Sequence, residues 1–142
     1  MWLKKHTRTY PNVDRKIVWQ QLTNISQWPT WHDDLEYCKL EGSFSIGNHF
    51  ILKPKKMRPV KIKITELKEG YSFTDCTCFF GAKMFDTHTL EETPEGLKLS
   101  NTMIVTGPLK WLWIKLVAQY VADTIPQEMD ALIKVSKRLH HD

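Results

Sequence analysis

The spacing of hydrophobic residues changes twice along the chain and divides it into three parts. Residues 11–23 place apolar side chains at helical spacing, as in an amphipathic helix. Residues 35–106 alternate with a period of two, which indicates strands separated by turns. Beyond Gly107 and Pro108 the spacing is helical again. The middle part contains the predicted strands, over residues 35–41, 48–53, 59–67, 71–79, 83–92 and 97–106.

Two further segments complete the predicted order of elements. Residues 4–9 alternate weakly and indicate a first edge strand. Residues 26–31 form a turn or a short helix, because Pro29 blocks a regular helix. Short links between the strands favour an antiparallel meander. The sequence therefore predicts an α+β domain with about seven strands, two short helices after the first strand and a long C-terminal helix.

Turn signals between the strands predict which residues lie opposite each other. A two-residue loop at Gly81-Ala82 would place Asp75 opposite His88. A four-residue connection at residues 93–96 would place His88 opposite Asn101. These pairings bring three polar side chains into one row across neighbouring strands.

A third loop, at Glu69-Gly70, would pair Ile64 with Asp75, and all three registers put the apolar side chains on the same face of the sheet. The opposite face collects lysine and threonine and is expected to be solvated. The inward apolar positions are Val60, Ile62, Ile64, Phe73, Phe79, Met84, Leu90, Leu99, Met103 and Val105.

The polar row of Asp75, His88 and Asn101, with Asp86 and Thr77 close by, interrupts this apolar face. Buried polar groups need partners, water or a ligand. Three interpretations remain open: a structural hydrogen-bond network, a polar patch that orients a ligand, and a catalytic pair. In a catalytic pair His88 would act as acid or base, oriented by Asp75 or Asp86, although no nucleophile stands at a defined spacing from it.

A pocket between the sheet and the long helix would take its wall from the inward strand residues and from the apolar stripe of the helix. The pair Trp28 and Trp31, or the pair Trp111 and Trp113, either borders its mouth or packs in the core or at the surface. The predicted ligand-binding residues are Ile62, Ile64, Phe73, Asp75, Thr77, Phe79, Met84, Asp86, His88, Leu90, Leu99, Asn101, Met103, Leu112, Leu116 and Tyr120.

Composition limits the classes of partner. The chain has 142 residues, which fits a single domain over residues 1–142, and a formal net charge of +4. The short basic cluster at residues 53–58 is interpreted as a solvated loop, with weak contact to a membrane surface as the alternative and no nucleic-acid partner expected. The first eight residues lack the apolar run of a secretory signal, so we expect a cytoplasmic protein without a predicted protein partner.

No metal or cofactor site is expected from the motifs. The thiols Cys76 and Cys78 share one face of a strand, but a zinc site needs about four ligands and no matching pair follows. His140 and His141 would form a weak metal contact at most. Glycine-rich phosphate loops and the other catalytic signatures of nucleotide and peptide chemistry are not present in the sequence.

The chain resembles the START-like, or birch-pollen-allergen-like, superfamily and in particular its polyketide cyclase/dehydrase and lipid transport (SRPBCC) branch. The resemblance spans nearly the whole chain and is carried by the segments Val18-Trp19-Gln20-Gln21-Leu22, Trp28-Pro29-Thr30-Trp31, Leu40 to Gly47, Gly96, and Thr106-Gly107-Pro108-Leu109. It implies the helix-grip fold, in which a curved sheet wraps a long helix, and a cavity between them for an apolar ligand.

Three functions remain as hypotheses. A non-enzymatic binder or carrier of a lipid, polyketide-like or other hydrophobic molecule is favoured. A cyclase, dehydratase or hydrolase acting on such a molecule through His88 is the first alternative. A module that binds a membrane surface or a protein through residues 53–58 and the start of the long helix is the second.

Overall fold

The computed structural model describes residues 2–141, with side chains as far as residue 139. Its elements follow the predicted order. The strands are β1 (Trp2–Tyr10), β2 (Leu35–Leu40), β3 (His49–Pro54), β4 (Val60–Lys68), β5 (Ser72–Phe79), β6 (Ala82–Thr93) and β7 (Gly96–Thr106). Between β1 and β2 lie helix α1 (Arg15–Thr23) and a short 3₁₀ helix (Ile25–Thr30). The α+β prediction is confirmed, including the two short helices after β1.

The C-terminal helix, α2, follows β7 and changes its hydrogen-bonding pattern once. It is α-helical over Lys110–Trp113, π-helical over Ile114–Ala118 and α-helical again over Gln119–His141. Within the described residues, no helix is both long and apolar enough to cross a membrane.

All strands join one antiparallel sheet in the order β1-β7-β6-β5-β4-β3-β2. Strands β2 to β7 form the predicted meander, and β1 pairs with β7 at the opposite edge from β2. The chain between β1 and β2, which contains α1 and the 3₁₀ helix, must therefore connect the two edges of the sheet. The short helices therefore cover one part of the concave face of the sheet, and α2 covers the rest.

Alternation along the strands places the core on one face of the sheet. In β7 every second side chain is buried along the whole strand, as expected for a half-buried antiparallel strand. Buried side chains of α2, among them Ile125, Met129 and Leu132, belong to the same hydrophobic cluster. At the far edge, Tyr10 donates a hydrogen bond to Asp130 of α2 at 2.6 Å, which ties the helix to β1.

Two of the three predicted registers are confirmed. Ile64 lies opposite Asp75, and His88 lies opposite Asn101. The register of β5 with β6 was wrong, since Asp75 faces Asp86 and not His88.

The register error came from the position of one loop. Phe79 pairs with Ala82, so the two loop residues are Phe80 and Gly81 instead of Gly81 and Ala82. Gly81 takes the positive φ, +74°, that the turn requires. Moving a loop by one residue shifts the pairing by two, and a shift of two keeps every side chain on its face. The inward set was therefore predicted correctly although the partners were not.

Gly96 is required where β7 begins, because its φ is +140° and a Cβ there would lie 2.3 Å from the carbonyl oxygen of Tyr10. Gly47 also has a positive φ, +91°, but a Cβ there would meet nothing within 4 Å. We expect Gly96→Ala to lower the free energy of unfolding by at least about 2 kcal/mol more than Gly47→Ala, which serves as the matched control. Urea denaturation of both variants measures the difference, and equal losses would contradict the close approach of β7 to β1.

Candidate functional site

A cavity of about 730 Å³ lies between the concave face of the sheet, the 3₁₀ helix and α2. Its volume is in the usual range for sites that bind small molecules. The wall is largely apolar, with Trp28 and Phe50 at one side packed edge to face at 5.6 Å. Leu99 contributes from β7 and Ile125 from α2.

Most of the residues predicted for the pocket lie on this wall. Their role in binding stays a prediction, but the structure brings them together around one space. They are Ile62, Asp75, Thr77, Phe79, Met84, Asp86, His88, Leu90, Leu99, Asn101, Leu116 and Tyr120.

Four of the predicted residues do not lie on the wall of this cavity. Ile64, Phe73 and Met103 face inward but are fully buried by packing. Phe73 contacts Trp19 of α1 at 6.2 Å between ring centroids. Because α1 and its neighbours fill this part of the concave face, the cavity occupies only the remainder. Leu112, the fourth, is 48% exposed on the outer side of α2.

The helix stripe was assigned to the wrong side of α2 at its start. The side chains buried there are Ile114 and Ala118, whereas Leu116 and Tyr120 are more than half exposed and reach the cavity only at its mouth. The first turns of α2 carry apolar residues on two sides, so periodicity alone did not show which side faces the sheet.

A polar cluster from three adjacent strands stands on the cavity wall: Asp75 of β5, Asp86 and His88 of β6, and Asn101 of β7. Asn101 Nδ2 donates a hydrogen bond to Asp86 Oδ1 at 2.6 Å. His88 Nε2 lies 3.7 Å from Asp75 Oδ2 and 3.6 Å from Asp86 Oδ2. The predicted row is thus a compact group, and the catalytic roles suggested for His88, Asp75 and Asp86 stay predictions.

Packing fixes the imidazole ring of this cluster. The His88 ring stacks on Phe73, with the centroids 4.5 Å apart and an angle of 26° between the planes. Phe73 lies opposite His88 in the register of β5 with β6. A fully buried aromatic residue therefore sets the direction in which His88 presents Nε2 to the cavity.

Burial and mutual charge shift the titration of the whole cluster. Burial raises the pKa of Asp75, against the lowering effect of His88. Burial also raises the pKa of Asp86 to about 7; there the charges of Asp75 and Glu128 reinforce it, and His88 and Asn101 oppose it. Although burial alone lowers the pKa of His88, the carboxylates of Asp86 and Asp75 outweigh it and raise that pKa to about 9.

A second polar group on the wall was missed at the sequence level. His32 Nε2 lies 2.8 Å from Glu128 Oε1, and Thr124 donates to the same oxygen at 2.9 Å. Burial tends to lower the pKa of His32, but the hydrogen bond and charge of Glu128 raise it. The i, i+4 spacing of Thr124 and Glu128 was the available signal, since it puts both side chains on one face of a helix.

The mouth of the cavity combines apolar and basic residues. Lys55, Lys56 and Met57 from the β3–β4 loop line it together with Tyr120 of α2. Asp34 joins the two sides, because it accepts a hydrogen bond from Tyr120 Oη at 3.0 Å and its carbonyl oxygen accepts one from the Lys55 amide at 2.9 Å.

The fold is shared with solved structures of low sequence identity. Ara h 8.0201 is 15% identical over 96% of this chain and 98% of that chain, with a TM-score of 0.78. The di-domain ARO/CYC StfQ from the steffimycin biosynthetic pathway is 9% identical over 99% of this chain and 52% of that chain, also at 0.78. Norcoclaurine synthase from Thalictrum flavum, in complex with dopamine and hydroxybenzaldehyde, is 14% identical over 99% and 88%, at 0.70.

No family model matches the sequence, and no curated protein sequence is similar to it. The structural comparisons establish the fold, which is the helix-grip fold that the resemblance predicted. Activities and ligands differ among the proteins that share it, so function has to be argued from the residues of this cavity.

Replacing Asp75 tests whether its buried charge lowers the stability of the fold. Its side chain is only 9% exposed, and its nearest charged partner, His88 Nε2, lies 3.7 Å from Oδ2. In the presence of EDTA at pH 7.5, we expect Asp75→Asn to raise the free energy of unfolding by about 1–2 kcal/mol, because the cost of burying this charge exceeds its attraction to His88, as the raised pKa of Asp75 indicates. Asp33→Asn, at an exposed position, should change it by less than about 0.5 kcal/mol. A large loss of stability in Asp75→Asn would contradict this description of the cluster.

Proposed function

We propose that the protein binds a hydrophobic small molecule in the cavity between the sheet and α2. The observation that carries the proposal is the cavity itself, about 730 Å³ with a mainly apolar wall. Apolar surface supplies most of the affinity in such sites, and a small number of polar groups orient the ligand. Here the polar groups are concentrated in two places, around His88 and around Glu128.

The wall offers both flat contact surface and unsatisfied polar groups. Trp28 and Trp31 pack edge to face with centroids 6.2 Å apart and both line the cavity. The indole Nε1 of Trp31 is buried and has no partner among the described residues. A ligand with an apolar body and an acceptor atom would satisfy this N–H, and buried donors are rarely left unpaired.

Small molecules occupy this fold elsewhere: the structure of norcoclaurine synthase holds dopamine and hydroxybenzaldehyde. That protein shares 14% identity with this chain, so it supports small-molecule binding by the fold without indicating which ligand this chain takes. The chemical class of the ligand has to be argued from the residues on the wall of this cavity.

Filling the cavity from the sheet should prevent binding. Met84 points inward from β6 and lines the cavity, whereas its neighbour Lys83 is exposed on the other face. We expect Met84→Trp to weaken binding of the apolar dye Nile red by about tenfold or more, because the larger ring occupies ligand space. Lys83→Trp introduces the same side chain outside the cavity and should leave the affinity unchanged. Fluorescence titration measures both.

Two outcomes would overturn the proposal. One is a wild-type protein that binds no apolar dye and carries no small molecule when it is purified from cells and examined by native mass spectrometry. The other is equal dye binding by Met84→Trp and Lys83→Trp, which would place the dye on the outer surface.

A second candidate function is contact with a membrane surface, and the start of α2 favours it. Trp111 is 66% exposed and Leu116 is 58% exposed, next to the basic residues Lys110 and Lys115. Phe80, at the tip of the β5–β6 hairpin, is 84% exposed and its carbonyl oxygen accepts a hydrogen bond from Trp113 of α2 at 2.7 Å. Exposed apolar residues beside lysines fit a surface of anionic lipid.

This candidate predicts a specific loss of vesicle binding. We expect the double variant Lys55→Gln/Lys56→Gln, at the mouth of the cavity, to weaken cosedimentation with phosphatidylglycerol vesicles by about thirtyfold at low salt, since each lysine near the surface contributes about 1 kcal/mol. Lys134→Gln, at an exposed position near the other end of α2, is the matched control and should behave as wild type. No binding by wild type, or equal losses in both variants, would exclude a contact through this face.

A further inference from the structure

The three charged residues of the polar cluster are spaced like the ligands of one ion. One potential ligand atom each from Asp75, Asp86 and His88 lies within 4.8 Å of the other two. The nitrogen of His88 is 3.7 Å and 3.6 Å from the nearest carboxylate oxygens, which is longer than a hydrogen bond. Ligands about 2.1 Å from a metal ion are separated by roughly 3 to 3.5 Å in octahedral or tetrahedral geometry. A small inward movement of these side chains would complete such a site.

Asp75 supplies an independent sign that something is missing from the cluster. Its side chain is 9% exposed and lines the cavity, and its nearest charged partner, His88 Nε2, lies 3.7 Å from Oδ2, which is longer than a well-formed hydrogen bond. A buried carboxylate in that state is strongly unfavourable. It also lies directly opposite Asp86 in the sheet, and like charges opposite each other repel. A cation between the two carboxylates would resolve both problems.

The charges favour a divalent ion over a monovalent one. When a metal ion replaces the proton on His88, two carboxylates and a neutral imidazole carry two negative charges, which one divalent cation balances. Glu128 also lines the cavity, but it is held by His32 and Thr124 and is not needed for the balance. One imidazole nitrogen with two carboxylate oxygens suits first-row transition ions.

The surroundings hold the three side chains in place, as the partners of metal ligands commonly do. Asn101 donates to Oδ1 of Asp86, so that Oδ2 of Asp86 is turned toward His88. The stacked ring of Phe73 fixes the orientation of the imidazole. All three candidate ligands come from paired strands, which are more rigid supports than loops.

We propose that Asp75, Asp86 and His88 bind a divalent transition-metal ion on the cavity wall, with its other coordination positions open to the cavity. The sequence placed these three residues in one polar row, but strand residues from two hairpin arms lack the short local spacing by which cysteine and histidine metal motifs are identified. The site is independent of the hydrophobic ligand and is tested without one.

The first experiment titrates the full chain, stripped of metal with EDTA, with Co²⁺ and then with Zn²⁺. The double variant His140→Ala/His141→Ala serves as background, because histidines at the end of the chain are the obvious competing site. We expect one Co²⁺ per chain with visible absorption bands, and its displacement by Zn²⁺. Absence of saturable binding in this background would overturn the proposal.

Variants of the cluster identify the ligands. Asp75→Asn and His88→Gln should each weaken Co²⁺ binding by at least about tenfold. Asp34→Asn removes a carboxylate from the mouth of the same cavity and should bind as the parent does. Unchanged binding by Asp75→Asn, or an equal loss in Asp34→Asn, would show that the ion does not use this cluster.

A measurement on the unmodified chain does not depend on how the variants fold. Substoichiometric Mn²⁺ broadens the NMR signals of nearby amides. We expect the broadening to centre on Asp75, Asp86 and His88, across β5 and β6. Broadening centred on the C-terminal residues instead would overturn the proposal, whatever the variants show.

Discussion

One helix cannot cover a sheet of this width, and the rest of the structure follows from that constraint. Seven strands span roughly 29 Å at the usual spacing, whereas a helix with its side chains is about 10 to 12 Å wide. Helix α1 covers another part, since Arg15 donates to the carbonyl oxygen of Gly70 at 2.7 Å and Trp19 Nε1 to Glu69 at 3.0 Å, both in the β4–β5 turn. Phe73 is buried beneath it. The cavity is the space between the sheet, the 3₁₀ helix and α2 that α1 does not fill, so it results from the topology and needs no special residue to create it.

Placing a polar cluster in that space works against stability. Asp75 and Asp86 are adjacent carboxylates on the concave face of a sheet whose other inward residues are mostly apolar. An apolar pair at these positions would fill the wall at lower cost, because buried charges must recover a large desolvation penalty. Local departures from the rules that stabilise a fold are concentrated at functional sites. The departure here is confined to one level of three neighbouring strands, and it faces the cavity between the sheet and α2.

The face of each strand could be predicted from the sequence, whereas partners across the sheet and the orientation of α2 could not. Alternation fixes the face, and the loop at Phe80-Gly81 shows why the partner is harder: a glycine at either loop position satisfies the turn, yet the choice decides whether Asp75 meets Asp86 or His88. The first turns of α2 carry apolar residues on both sides of the helix, so the spacing did not show which side packs on the sheet. The contact between His32 and Glu128 joins residues 96 positions apart, so the i, i+4 spacing of Thr124 and Glu128 could indicate a shared helix face but not the partner His32.

The two polar regions of the cavity differ in a way that bears on the chemistry of its occupant. His32 and Glu128 already satisfy each other through a short contact. This pair can therefore orient a ligand by hydrogen bonding, but it adds little net charge to attract one. The group of Asp75, Asp86 and His88 is not satisfied by its own contacts, and without a metal ion it favours a positively charged or hydrogen-bond-donating part of a ligand. With the proposed ion bound, the same wall would instead attract an oxygen donor, because the ion carries open coordination positions. Metal occupancy would then decide which end of an amphipathic molecule lies against the sheet, while the apolar wall around it would hold the remainder in either case.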